Sequence, residues 1–290
     1  MKDTLNYLRR KEYDDLAFLL ENTWRKHPPK RSDNHYQMWK EQVAVNLPVL
    51  YLASIYLHIF VKERKIKNLL FATRDCSHWY KIYSAMYPDE KCHYFHCSRN
   101  MFNLARTTSR PSYERYVDRV TDNDISHSVF IDIHGTGRRM YEYFSERGDS
   151  NGVGKVPRCF ILSSAHSDTE NLCDGIVHMI ERKKAEFVVF KAGGGPIEML
   201  NYDLIGTCND YNRNGAVRAE LEYDEDKIKP YHDCVDRFVT LIKRNPSLVD
   251  KQHSCRQLRK AIRHLFEPCL VDLPVVSEWI DHERKHTADP

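Results

Sequence analysis

The chain lacks an uninterrupted apolar run of membrane-spanning length. Its most apolar segment, residues 47–61, carries Ser54 and His58 and covers about 15 positions where a span needs about 20. It reads as a buried helix. The opening residues Met1-Lys-Asp-Thr4 lack the apolar core of a secretory signal. A large charge excess is also missing: the net charge of +3 gives no argument for a nucleic-acid partner. The nine cysteines form no regular framework, which suggests reduced thiols in a cytoplasmic setting. There is no internal repeat and no low-complexity tract. These absences exclude a disulfide scaffold, a repeat array and a transmembrane protein from the expectation.

What remains is a chain of 290 residues, enough for one large α/β domain with additions. Residues 3–26 read as a helix with Leu5, Leu8, Leu16, Leu19 and Leu20 on one face. Pro28 and Pro29 lie in a linker, and a long helix follows over 36–65, bent or restarted near Pro48. Buried strands are expected at 68–72, 92–99, 128–131, 159–162, 175–180 and 186–190. Residues 100–125 are polar, and Arg106 to Pro111 within them read as a mobile loop. Helices at 230–244, 254–267 and 275–286 close the chain. Strands alternating with helical stretches imply an α/β fold with a mainly parallel open sheet. The expected organisation is a helical N-terminal extension (1–40), an α/β core (41–215) and a helical C-terminal cap or flank (216–290).

Ser128-Val-Phe-Ile-Asp-Ile-His-Gly-Thr-Gly-Arg-Arg139 centres this pattern. Asp132 would sit at the carboxyl edge of the sheet, where open α/β folds bind ligands. Gly135, Thr136 and Gly137 would bring backbone N–H groups to an anion. The helix opened by Arg138 and Arg139 would point its positive end at the same place. Thr73-Arg-Asp-Cys-Ser77 repeats the arrangement after the first strand. There Arg74 suits phosphate oxygens, Asp75 suits Mg²⁺, and Ser77 would cap the next helix. Alternatively, Arg74 and Asp75 form a local salt bridge. Ser98 and Arg99 add a hydroxyl and a cation at the end of the second strand.

Cys92, His93, His96 and Cys97 do not suggest zinc, because side chains alternate along a strand and four ligands cannot converge from it. His232-Asp233 reads as helix surface. Gly193-Gly-Gly-Pro-Ile-Glu198 places a carboxylate, Glu198, where it would serve as general base for a hydroxyl or, alternatively, as a helix-start carboxylate. Tyr202, Asp203 and Tyr211 are candidates to line an acceptor site.

Residues Val129 to Arg139 resemble the phosphoribosyl-pyrophosphate (PRPP) motif of type I phosphoribosyltransferases, with Asp132 at its second acid and Ile131 in place of the first. A wider resemblance covers most of 40–240. Phe71-Ala-Thr-Arg-Asp-Cys-Ser77, Tyr94-Phe-His-Cys-Ser-Arg99, Ile131-Asp-Ile-His-Gly-Thr-Gly137 and Pro196-Ile-Glu-Met-Leu200 are similar, in order, to blocks of bacterial polysaccharide-biosynthesis proteins. These carry a phosphoribosyltransferase-like domain, often fused to a haloacid-dehalogenase-type phosphatase. Cys76 stands where that family usually has Gly.

The resemblance implies a sheet of the type I phosphoribosyltransferase kind. It also implies transfer of ribose 5-phosphate from PRPP to a glycan or glycolipid hydroxyl, with Mg²⁺. The 135–139 loop would hold the 5-phosphate and Asp132 the ribose. Thr73, Arg74, Asp75, Ser77, Ser98 and Arg99 would hold pyrophosphate and metal. Asp75 or Glu198 would be the base, and residues 100–118 would close over the site. No phosphatase nucleophile motif is present, so dephosphorylation would need a separate phosphatase. The alternatives are a phosphate-ester hydrolase using Asp75 or Asp132, and a non-catalytic PRPP- or nucleotide-binding module.

Overall fold

The computed structural model describes residues 1–28, 33–147, 156–190, 196–220, 225, 228–249, 253–267 and 273. Five strands form one parallel sheet: β1 (Asn68–Ala72), β2 (Lys91–Phe95), β3 (Ser128–Gly135), β4 (Arg158–Ser164) and β5 (Ala185–Phe190). Their order is β2-β1-β3-β4-β5. The chain is therefore α/β, and the order reverses between β1 and β3. Every residue of β1 is buried, as is nearly every residue of β4, because helices cover both faces. The expected strands at 68–72, 128–131, 159–162 and 186–190 are all present within these bounds, and β3 continues past its expected end to Gly135.

The helices are α1 (Lys2–Arg10), α2 (Asp14–Trp24), α3 (Asp33–Glu41), α4 (Leu47–Glu63), α5 (Ser77–Met86), α6 (Arg99–Thr107), α7 (Pro111–Val120), α8 (Arg138–Glu146), α9 (Asp174–Glu181), α10 (Pro196–Met199), α11 (Lys229–Arg244) and α12 (Cys255–Phe266). One face of the sheet receives α4, α5 and α12; the other receives the crossover helices α6, α8 and α9. Aligned residues Phe71, Ile131 and Phe160 form one row across the sheet. Trp79 of α5 meets Phe71, and Tyr56 and Phe60 of α4 meet Phe160 edge-on. Asp132, one residue on from Ile131, belongs to the opposite row.

Four expectations are corrected. The polar stretch 100–125 folds mainly as α6 and α7, whose buried faces carry Met101, Phe102, Tyr113, Tyr116, Val117 and Val120 at helical spacing, and the loop expected at 106–111 is confined to 108–110 between them. Residues 175–180 are not a strand but part of α9, where Ile176 and Met179 pack inward three apart. The single helix over 3–26 is two helices, broken where Glu12 adopts φ 62°. The second strand ends at Phe95 rather than Arg99, because Ser98 opens α6. An antiparallel hairpin, β6 (Cys208–Asn212) and β7 (Gly215–Arg218), was not anticipated, although Asn214-Gly215 is a strong hairpin signal. The expected 275–286 helix lies outside the described residues.

The long apolar helix runs from Asn34 to Glu63 and is long and apolar enough to cross a membrane, yet 83% of its most apolar stretch is buried inside the protein. It is a core helix, as its sequence suggests. The expected irregularity near Pro48 is a π-helical turn, Gln42–Asn46, directly before α4. Pro48 has no N–H to offer Ala44, and the wider turn absorbs that gap.

Candidate active site

In an open parallel sheet, the strand ends where the order reverses form a crevice. Asp75 lies three residues beyond the end of β1, and Asp132 lies within the outer half of β3. The two loops thus flank the reversal from either side. Arg99, exposed at the start of α6, reaches the same crevice from the end of β2. Glu198 enters on α10, a single turn packed against β3. Asp75, Asp132, Arg74 and Arg99 all lie near enough to act on the charge of Glu198.

Each carboxyl carries the mark of its neighbours. Asp132 is half-buried. Burial, then the charge of Asp75, push its pKa up to about 7, against the backbone N–H groups of Ile133 and His134 and the cation of Arg99. Its Oδ1 accepts from Ile133 N at 2.8 Å. Glu198, half-buried, is held well above the usual carboxylate range by burial and by Asp75 and Asp132. Arg74 Nε donates to Asp75 Oδ1 at 2.9 Å, and its guanidinium lies 3.9 Å from the centre of the Tyr202 ring. The local salt bridge considered from sequence is therefore present, inside the crevice rather than on the surface.

Several sequence candidates are engaged elsewhere. Thr73 is buried; its Oγ1 donates to Cys97 O at 2.9 Å and accepts from Cys97 N at 3.2 Å. It ties the β1 loop to β2 and offers no free hydroxyl. Ser98 caps α6 by accepting from Met101 N at 3.0 Å, and its hydroxyl donates to Cys208 O at 2.6 Å. Ser77 is a buried residue inside α5; the N-cap is Cys76, which makes no side-chain cap bond. Arg138 and Arg139 turn along α8 to Glu142, at 2.6 and 2.9 Å. At this loop and helix start, what is left to receive an anion is the backbone. Thr136 Oγ1 accepts from Arg138 N at 3.3 Å and shapes that loop.

Gly137 is the helix N-cap at φ 71°. A Cβ there would meet Ile176 Cδ1 at 3.2 Å and Ile161 Cδ1 at 3.3 Å. Left-handed backbone and a tight approach both require glycine. Gly137→Ala is expected to destabilise the fold by about 2 kcal/mol, read as a lower midpoint in urea denaturation. Gly193, Gly194 and Gly195 lie outside the described residues.

Sequence reasoning overlooked His134, although it sits inside the central motif. It follows Asp132 by two positions on the same face of β3, its Nδ1 lies 3.2 Å from Ser163 Oγ, and burial pushes its pKa down to about 4. It is a neutral imidazole at the crevice. Asp203 is clamped by Tyr94 Oη at 2.8 Å and Arg218 Nη1 at 2.7 Å, and Tyr211 stacks on Tyr116 under the hairpin. His232 is not surface but buried, with Nε2 2.8 Å from Tyr202 O. Among the described residues no group of three or more His, Cys, Asp or Glu is placed to hold a metal ion. Compared with known proteins, the chain matches no family model and no curated relative.

Proposed function

We propose that the protein transfers ribose 5-phosphate from PRPP to a sugar hydroxyl of a glycan or glycolipid, releasing pyrophosphate. The observation that carries this reading is the meeting of Asp75, Asp132 and Glu198 with Arg74 and Arg99 at the strand-order reversal, beside a Thr/Gly loop that opens a helix. A parallel sheet with its crevice at the carboxyl edge supports an architecture of the type I phosphoribosyltransferase kind.

In this reading the 135–137 backbone and the α8 N-terminus bind the 5-phosphate. Asp132 accepts from a ribose hydroxyl. The acceptor oxygen bonds to C1 as the C1–O bond to pyrophosphate breaks. Glu198, or Asp75, takes the acceptor proton, and Arg74 and Arg99 stabilise the departing anion. The hard oxygen donors of the crevice suit Mg²⁺, which takes few protein ligands and completes its shell with substrate phosphates and water; Asp75 would hold it. Bound there, it would neutralise charge on pyrophosphate. The reaction would be cytoplasmic, with a separate phosphatase removing the 5-phosphate.

One observation favours PRPP binding without turnover. Ile131, at the position of the motif's first acid, is fully buried and lies on the opposite face from Asp132. Incubation with PRPP, Mg²⁺ and a panel of glycan acceptors separates the readings. Transfer is expected to show as pyrophosphate release that requires acceptor. PRPP binding with no release across the panel would instead establish a binding module. Phosphate release from simple esters, abolished in Asp132→Asn, would establish a hydrolase.

A further inference from the structure

Immediately after Glu198 the chain is held by a buried polar cluster that no step above uses. Leu200 O accepts from Gln42 Nε2 at 2.5 Å, from His78 Nδ1 at 3.0 Å and from Asn46 Nδ2 at 3.3 Å. Asn46 and Asn201 exchange amide bonds, Asn46 Nδ2 to Asn201 Oδ1 at 3.0 Å and Asn201 Nδ2 to Asn46 Oδ1 at 2.9 Å. Asn201 Nδ2 also donates to Ile197 O at 2.7 Å, inside α10. Asn46 Nδ2 donates to Gln42 Oε1 at 2.7 Å. His232 of α11 holds the next carbonyl but one, Tyr202 O. All five side chains are buried.

A four-residue helix has no stability of its own, because a single turn fixes more dihedrals than its hydrogen bonds repay. Its carbonyls also need partners beyond its own four residues. They are taken by residues 200–202, and the carbonyls just beyond it, Leu200 O and Tyr202 O, are held from three other elements: the π turn, α5 and α11. The π turn supplies two of the donors, Gln42 and Asn46, from its first and last residues. Such turns commonly mark functional positions. Two site residues depend on the strip so fixed. Glu198 sits on α10 itself, and Tyr202 forms the face on which the Arg74 guanidinium rests.

We propose that Gln42, Asn46 and Asn201 are positioning residues for the active site, fixing α10 so that Glu198 stands at the acceptor side of the crevice and Tyr202 beneath Arg74. This rests on the transferase reading only for its kinetic readout. The amide-bearing π turn is part of the catalytic apparatus without touching substrate. Gln42→Met keeps the length of the side chain but removes the donor to Leu200 O.

The test compares the full chain with Gln42→Met, Asn46→Asp and Glu198→Gln, and with each positioning variant combined with Glu198→Gln. Folding is checked by near-ultraviolet circular dichroism. In folded Gln42→Met, kcat is expected to fall by about 10-fold to 100-fold, the cost of misplacing a group by about 1 Å, while KM for PRPP stays level. Combined with Glu198→Gln, it is expected to lose far less than the product of the two single losses, the remainder passing through Tyr202 and Arg74. A folded variant with unchanged kcat, or one whose loss simply multiplies that of Glu198→Gln, overturns the proposal. If Gln42→Met does not fold, Asn46→Asp carries the same comparison. If the parent chain shows no PRPP-dependent turnover, the transferase reading fails by itself. Positioning is then read from the carboxyl carbon resonance of Glu198 in isotope-labelled protein. A displaced Glu198 resonance in either folded variant, with that of Asp132 unmoved, supports the proposal, and an unmoved one overturns it.

Discussion

Glu198→Gln is expected to lower turnover about 1000-fold, the scale of a lost general base, with little change in KM for PRPP. The amide keeps the shape of the carboxyl and removes its ability to take a proton. The pH dependence sharpens the test. Glu198 is held above the usual carboxylate range by burial and by Asp75 and Asp132, and a base works only when deprotonated. Parent turnover should therefore rise toward alkaline pH through that elevated pKa, and the variant should lose this rise. Initial rates of pyrophosphate release across a pH series measure both. A variant that keeps the parent rate and profile would move the base to Asp75.

Asp132→Asn is expected to make the ligand-free protein more stable and less active. Protonated Asp132 suits its site better than the carboxylate does, since its pKa stands at about 7 against an ordinary 3.8. A raised pKa means that the folded state holds the proton more tightly than the unfolded chain. The stability this confers is present below the unfolded pKa and is lost as pH rises through the folded one. That loss is on the order of 3 kcal/mol, allowing for its partial exposure to water. Asparagine does not titrate, and its oxygen can still accept from Ile133 N. The advantage of Asp132→Asn over the parent should grow from pH 4 to pH 7 and then level off, reaching roughly 5 °C in Tm at pH 8. Equal melting temperatures at pH 4 and a gap at pH 8 are the expected pattern. A gap that is constant across pH would place the effect outside Asp132 ionisation. Loss of the ribose contact lowers activity in the same variant, as is common where a site stores unfavourable charge.

The sheet was legible because parallel strands buried on both faces read as continuous apolar runs; Asn68–Ala72 is found at its expected bounds. Position in the sheet was legible for Asp75, just beyond β1, and for Asp132, in the outer half of the neighbouring strand β3. Hydroxyls were misjudged because their role depends on partners distant in sequence. Thr73 and Ser98 look available until Cys97 and Cys208 are folded against them. Arg138 and Arg139 were assigned to phosphate from the helix start, but Glu142, three and four residues on, draws both outward. Polar composition hid α6 and α7, whose apolar faces are narrow. The role of Gln42 was invisible for the same reason as that of Cys208: its partner, Leu200, lies 158 residues further along.

That separation has a consequence for how the chain is made. Synthesis proceeds from the N-terminus, so the apolar helix ending at Glu63 leaves the ribosome long before its polar clamps exist. Gln42 waits for Leu200, Glu41 waits for Tyr231, 190 residues on, and Tyr56 waits for Arg259, 203 residues on. Contacts this remote slow folding, because loop closure must precede any gain from them. A nascent chain stalled before α11 therefore displays its most apolar helix without part of its cover, and apolar surface exposed in this way is prone to aggregation.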